Sequence, residues 1–183
     1  MFSLKVDDEI KLEPPYENRV EEAFAAVMAN YEYLHEWLPW LDKTYTLEKS
    51  IGFAARNVQE FEDKSAVKLR IIYRDKVAGL ISLHHIDSRD KSAEMGYWVA
   101  KEYSGKGLVT KSAARLIKYG FEKLKLNRIV IKCVPENTKS RAIPEKLGFI
   151  KEGTEREGGW LHTRFVDHVV YSLLAREWEK VDS

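Results

Sequence analysis

Two glycines carry the first chemical signal in this chain. Gly105 and Gly107 stand in the run Ser104-Gly105-Lys106-Gly107, between a strand-like segment, Glu94 to Ala100, and a segment with helical periodicity. A glycine turn that opens a helix points free backbone N–H groups outward at the positive end of the helix dipole, an arrangement suited to a phosphate or pyrophosphate. Glycine serves there because a side chain would hold the anion off and because such turns often need positive φ. The run is not a nucleoside-triphosphate loop, since Gly-x4-Gly-Lys-[Ser/Thr] is absent, and not a dinucleotide fingerprint, since Thr110 stands where a third glycine would fall. On these residues alone, a plain strand-to-helix turn reads as well as an anion site.

A second stretch adds Asn137, Ser140, Lys146, Gly148 and Phe149 in the spacing Asn-x-x-Ser-x5-Lys-x-Gly-Phe. With the glycine turn upstream, it resembles the GCN5-related N-acetyltransferase superfamily. Three further pieces, Trp37-Leu38-Pro39-Trp40, Glu94-Met95-Gly96-Tyr97-Trp98 and Asp167 through Leu174, resemble its ribosomal-protein N-terminal acetyltransferase branch. The five pieces follow in order over about residues 8 to 178. The resemblance implies acetyl-coenzyme A as co-substrate, no metal, pyrophosphate on the glycine turn, and pantetheine in a gap between splayed fourth and fifth strands. It implies cofactor contacts at Trp98, Val99, Ser104, Gly105, Lys106, Gly107, Leu108, Val109 and Asn137.

Acetyl transfer to an amine needs the amine neutral and the departing thiolate stabilised. By resemblance, Glu94 relays the amine proton and Ser140 faces the sulfur, where many members of the superfamily use a tyrosine. A serine hydroxyl is a poor acid, so a hydrogen bond to sulfur is its expected role. The plainer alternatives are a strand-end glutamate facing solvent and a first-turn helix serine. Trp37, Trp40 and Trp160 are expected to wall the acceptor pocket, with core packing as the alternative. The five histidines lack metal-ligand spacing and read as packing or surface residues. Cys133 reads as a buried, inert strand residue. Asn137 suits a helix N-cap, and Gly148 a left-handed helix end with Phe149 in the core.

Two residues depart from the family pattern. Glu102 stands where Arg or Gln usually precedes the glycine turn. A carboxylate beside a pyrophosphate is unfavourable, so Glu102 is expected to point away. Pro144 would lie a full turn inside a helix capped by Asn137, leaving the Ser140 carbonyl without an intrahelical donor. Water or bound ligand is its expected partner, with the Ser140 hydroxyl free to face the thiol. A helix starting later, with Pro144 in its first turn, is the alternative.

The elements that must position these residues follow from periodicity. Alternation over 2–12 predicts a first strand, ended by Pro14-Pro15. Helices are predicted over 17–37 and 46–63. In the first, Val20, Phe24, Val27, Met28, Tyr31 and Leu34 share one face. In the second, Thr46 is the N-cap, and Ile51, Ala54, Ala55, Val58 and one of Phe53 and Phe61 face inward. Strands 67–73 and 77–85 form a hairpin turning at Arg74-Asp75-Lys76, joined by a third at 93–100. A helix then presents Val109, Ala113, Leu116, Ile117, Gly120, Phe121 and Leu124. Strand 128–133, a short helix after Asn137, and strands 149–154 and 165–174 complete the chain. The fold class is α/β, a mixed sheet of about seven mostly antiparallel strands with one parallel pair and helices on both faces, as one domain over 1–183.

Composition narrows the partners. A net charge of +1 gives no field to recruit nucleic acid or an anionic membrane, and charges interrupt every long apolar run. An acidic start does not read as a signal peptide, one cysteine excludes an intrachain disulfide, and the cytoplasm is the expected compartment. The expected acceptor is the α-amine of a protein, such as a ribosomal protein. Small amines, a polyamine or an aminoglycoside, are the second choice, and a coenzyme A-binding module without turnover the third. A homo-oligomer is compatible with all three. One magnitude favours an α-amine. With a pKa near 8, roughly a tenth is neutral at pH 7, against about one in 2,500 for lysine, a difference of about 3 kcal/mol.

Overall fold

The computed structural model describes residues 2–178. Met1 and residues 179–183, the ends of the expected domain, lie outside the described residues. The strands are β1 (Leu4–Lys5), β2 (Ile10–Glu13), β3 (Val67–Tyr73), β4 (Lys76–Asp87), β5 (Ser92–Val99), β6 (Arg128–Cys133), β7 (Ile150–Leu161) and β8 (Arg164–Leu174). The helices are α1 (Val20–Ala29), α2 (Tyr31–His35), α3 (Leu47–Glu62), α4 (Leu108–Glu122), α5 (Thr138–Lys146) and α6 (Ala175–Trp178). All eight strands form one sheet in the order β1-β2-β3-β4-β5-β6-β8-β7. Only β5 and β6 run parallel.

The eighth strand arises at the N-terminus, where one strand was expected. The Asp7 carboxylate accepts hydrogen bonds from the Glu9 and Ile10 N–H groups, both at 2.9 Å, and folds the segment into a hairpin. The long helix predicted over 17–37 is divided at Asn30. That side chain donates to the Ala26 carbonyl and accepts from the Lys101 N–H at 2.8 Å, so it ties the break between α1 and α2 to the turn after β5. Val20, Val27 and Leu34 are buried as expected, whereas Met28 is exposed. β7 runs to Leu161, beyond the expected residue 154, as the long partner of β8.

Leu69, Ile71, Ile81 and Leu83 of the sheet pack with Leu116 and Ile117 of α4 in the main core, all fully buried. The other face carries α1 and α3. There Lys68 of β3 meets Glu60 at 2.6 Å and lies over the Phe53 ring. The inward stripe predicted for α3 needs correction. Ile51, Ala55 and Val58 are exposed, and the face turned inward carries Ser50, Ala54 and Asn57 with Phe53 and Phe61 half-buried. Ser50 on that face lines a cleft, and Asn57 donates to the Phe53 carbonyl at 2.7 Å. Among the described residues, no helix is long and apolar enough to cross a membrane.

One of the ion pairs that tie β7 to β6 also reaches β8. Arg128 grips Glu152 with two hydrogen bonds, 2.7 and 2.6 Å, and Ser172 adds a third at 2.8 Å. The guanidinium first, then Ser172, hold the Glu152 pKa down to about 2. A carboxylate depressed on folding contributes stability above its unfolded pKa, near 4.5, and that contribution fades as pH falls toward the folded value. Glu152→Gln is therefore expected to flatten the acid limb of stability between about pH 4.5 and 2. Urea midpoints of parent and variant across that range check it. The size is modest because the pair is partly in water, and parallel curves would contradict the assignment.

Candidate active site

β5 and β6 are paired only through Ser92↔Arg128, Ala93↔Ile129 and Glu94↔Val130. Beyond Glu94 the two strands part, and two clefts open on either side of the gap. One, about 880 Å³, runs under α1 and α3. The other, about 610 Å³, lies between the glycine turn and α5. Both are lined by Trp37, Leu38, Tyr97, Trp98, Asn137 and Ser140, so they meet at the splay.

The smaller cleft contains the glycine turn. Gly105 and Gly107 have φ of +78° and +79°, left-handed values that glycine adopts without strain. A Cβ on either would meet no protein atom within 4 Å. Gly107 is the N-cap of α4, and the first intrahelical bond is made by Lys111 N–H to the Gly107 carbonyl. The N–H groups of Leu108, Val109 and Thr110 are thus the open donors of the first turn, beside Ser104 and Val99 in the same cleft. One residue, Lys106, differs from expectation, and Glu102 does not. Lys106 is outside the cleft lining, its ammonium over the Tyr103 ring at 5.5 Å. The lysines that do line the cleft are Lys139 and Lys146. Glu102 is exposed and outside the lining, pointing away as its charge requires.

At the junction, Asn137 caps α5, its Oδ1 accepting from the Ser140 N–H at 3.1 Å. The helix starts at Thr138 and keeps Pro144 inside, so the later start is excluded. The expected partner of the Ser140 carbonyl was also wrong. The Tyr97 hydroxyl donates to it at 2.9 Å. Nor is the Ser140 hydroxyl free, for it lies 3.3 Å from Cys133 Sγ and 3.4 Å from the Tyr97 oxygen. Sequence reasoning assigned no role to Tyr97. Proline supplies the reason for its place, since the ring opens a carbonyl that a buried phenol then satisfies. Burial, and then Cys133 beside it, push the Tyr97 pKa well above the phenol range. Burial also raises the Cys133 thiol, which keeps it protonated and inert. Tyr97→Phe should cost about 0.5–1.5 kcal/mol, because it removes a hydrogen bond to a partly buried carbonyl. Thermal denaturation checks this, with about 2–4 °C lost per kcal/mol in a chain of this size; an unchanged midpoint would contradict it. At the far end of α5, Gly148 is left-handed at φ +76°, Phe149 N–H bonds the Pro144 carbonyl at 3.0 Å, and Phe149 is buried.

Glu94, Gly96 and Trp98 all line the larger cleft, in keeping with strand alternation. Glu94 is one-third exposed, with Lys132 Nζ at 3.7 Å, His85 Nδ1 at 3.8 Å and His84 Nε2 at 4.0 Å. His84 and His85 are adjacent in β4 and would face opposite ways in a regular strand. A break in register between His84 and Asp87, with His85 at φ +50°, brings both to Glu94. The histidines thus gather into a His84–His85–Glu94 group that sequence spacing did not reveal. Lys132, beside the Glu94 carboxylate, is held charged. Burial works against its charge, but Glu155 at 3.0 Å and Glu94 outweigh it and raise its pKa. Burial, and then His85, lower the pKa of His84.

Of the three tryptophans, Trp37 lines both clefts and Trp40 the larger one. Trp160 belongs to neither. It is exposed on the β7–β8 hairpin and packs edge-on against Phe165 at 4.8 Å, because β7 continues past Gly159 and carries it away from the splay. His35 and His162 stack at 3.8 Å and bond backbone carbonyls, a packing role.

A splayed parallel pair with a glycine-opened helix on one side and a carboxylate on the other is the arrangement of an acyl-coenzyme A-dependent transferase. Residues 9–150 match the acetyltransferase (GNAT) domain family, and the chain belongs to it. It is 38% identical over 98% of both chains to the Bacillus subtilis protein named "Putative ribosomal N-acetyltransferase YdaF". It is 27% identical to the Escherichia coli ribosomal-protein-serine acetyltransferase, over 94% of this chain and 96% of that one. Among solved structures, it superposes with a TM-score of 0.89 on the microcin C7 self-immunity acetyltransferase in complex with acetyl-coenzyme A and AMP. That match is 32% identical and covers 93% of this chain and 94% of the other. The protein is a GNAT-type N-acetyltransferase that uses acetyl-coenzyme A.

Proposed function

We propose that the acceptor is the α-amine of a protein N-terminus, a ribosomal protein being the favoured class, and that transfer takes place in the cytoplasm. The observation that carries this reading is the partial exposure of Glu94 in the lining of the larger cleft, beside His84. An α-amine needs little help to lose its proton, so a half-solvated carboxylate is base enough. Burial favours neutral His84, which leaves it able to accept a proton beside Glu94. In this reading the acetyl thioester lies at the splay, with pyrophosphate on the first turn of α4 and Asn137 beside the pantetheine. The amine attacks from the larger cleft, its proton passes to Glu94, and the thiolate leaves at the junction, where the Ser140 hydroxyl must turn from the Tyr97 oxygen to meet it. Tyr97 positions Ser140 by holding its carbonyl. Trp37 and Trp40 wall the acceptor, and the Trp98 and Val99 backbone flanks the coenzyme. The names of the Bacillus and Escherichia relatives agree with a ribosomal acceptor.

The test uses one peptide with a free N-terminus and an internal lysine, incubated with acetyl-coenzyme A and sequenced by mass spectrometry. Acetyl on the α-amine, with none on lysine at neutral pH, is the expected result. Acetyl on lysine alone, or turnover only with a polyamine, would overturn the assignment.

A further inference from the structure

The larger cleft has a second charged end, away from Glu94. Arg70 of β3 lines it and is 4% exposed. A buried arginine ordinarily has a carboxylate partner, because taking a charge out of water is costly. Arg70 has none within ion-pair distance among the described residues. Its one hydrogen bond runs from Nη1 to the Tyr16 carbonyl at 2.8 Å, which leaves further donors on the guanidinium fork. The nearest acidic groups are otherwise engaged. Glu22 accepts from the Val77 N–H at 2.7 Å and from Arg19 at 2.9 Å, and Glu13 pairs with Lys11 at 2.7 Å. Burial lowers the Arg70 pKa to about 10, still far above neutrality, so the group remains a cation. Lys49 and Arg56 of α3 line the same cleft, and neither forms an ion pair among the described residues.

We infer that this end of the cleft is a specificity site for a carboxylate on the acceptor, with Arg70 as its principal anchor. The inference rests on the reading of the acceptor as a protein N-terminus and narrows it to one with an acidic residue near the start. The register gives the position. Arg70 lies opposite Leu80, Leu80 lies opposite Trp98, and Glu94 precedes Trp98 by four residues on β5. Two strand spacings across and four residues along put the two Cα atoms about 16 Å apart. Allowing for side-chain reach, an extended peptide with its amine at Glu94 brings its third to fifth residue, roughly, to the guanidinium. A planar carboxylate matches the guanidinium fork with two hydrogen bonds, and lysine cannot reproduce that geometry.

The experiment is steady-state acetylation of three peptides that differ only in residues three to five, which carry aspartate, asparagine or lysine. With the unaltered protein, the aspartate peptide should have a KM about 10- to 100-fold below that of the asparagine peptide, as a charge-assisted hydrogen-bonded pair provides. The kcat should change little, since binding far from the reacting atoms is felt equally in ground and transition states. The lysine peptide should be the poorest. Arg70→Gln should erase the aspartate preference, and Arg70→Lys should restore only part of it. Should Arg70→Gln fold poorly, Lys49→Gln, an exposed residue of the same cleft, should still reduce the preference. The comparison of peptides on the unaltered protein needs no variant at all. Equal KM values for the aspartate and asparagine peptides would overturn the carboxylate site while leaving N-terminal transfer intact. Failure to acetylate any of the three would overturn both. A preference for a phosphate-bearing acceptor, such as an aminoacyl nucleotide, over the aspartate peptide would overturn the peptide carboxylate as the occupant.

Discussion

Gly107→Asp is expected to weaken acetyl-coenzyme A binding by at least about 100-fold, or about 3 kcal/mol. Two effects act, one on folding and one on binding. At φ +79° any side chain strains the backbone, by about 1–2 kcal/mol for an L-residue. The new Cβ meets no protein atom within 4 Å and so points into the open cleft, where it sets a carboxylate against the pyrophosphate at the one place the helix dipole favours an anion. Gly107→Ala carries the strain without the charge, and since free and bound protein share that strain it should lower the melting temperature with much less effect on affinity. Titration calorimetry of both variants, with melting curves to confirm folding, separates the two effects. Unchanged affinity of Gly107→Asp would remove the pyrophosphate from this turn.

Glu94→Gln is expected to lower kcat about 10²- to 10⁴-fold at pH 7, with coenzyme affinity little changed. The amide keeps the shape but cannot take a proton. The deficit should narrow as pH rises toward the α-amine pKa near 8, because solvent then supplies the neutral nucleophile. A variant that keeps the parent's turnover and pH profile would move the base elsewhere, with His84 the next residue to test.

What could be read from the sequence was what depends on neighbours along the chain. Gly107 opens a helix and Asn137 caps one through contacts three or four residues long, and both turns are visible as local patterns. The hairpin at Arg74-Asp75 and the parting of β5 from β6 follow the same order of strands that the motifs implied. The Tyr97–Ser140–Cys133 contact was hidden because it joins residues 43 positions apart through the gap in the sheet. The pairing of His84 and His85 on Glu94 was hidden because it needs a bulge, which no residue type announces. Ile51 and Val58 misled for a different reason. Periodicity finds the most apolar face of a helix, and α3 instead turns inward Ser50, which lines a cleft, and Asn57, which bonds the Phe53 carbonyl. Trp160 misled because an aromatic residue near the end of the chain is equally at home on a hairpin. Arg70 is the converse case, an unremarkable strand arginine whose burial without a carboxylate becomes visible only in the fold.

The central claim is that the acetyl group passes directly between two clefts that meet at Tyr97 and Ser140, with both substrates bound at once. Initial rates measured while acetyl-coenzyme A and the acceptor peptide are varied together test it most directly. Double-reciprocal lines that intersect are the predicted result, since a ternary complex must form before transfer. Parallel lines, together with an acetylated enzyme isolated in the absence of peptide, would mean that the group rests first on a protein nucleophile such as Cys133, and would contradict the account.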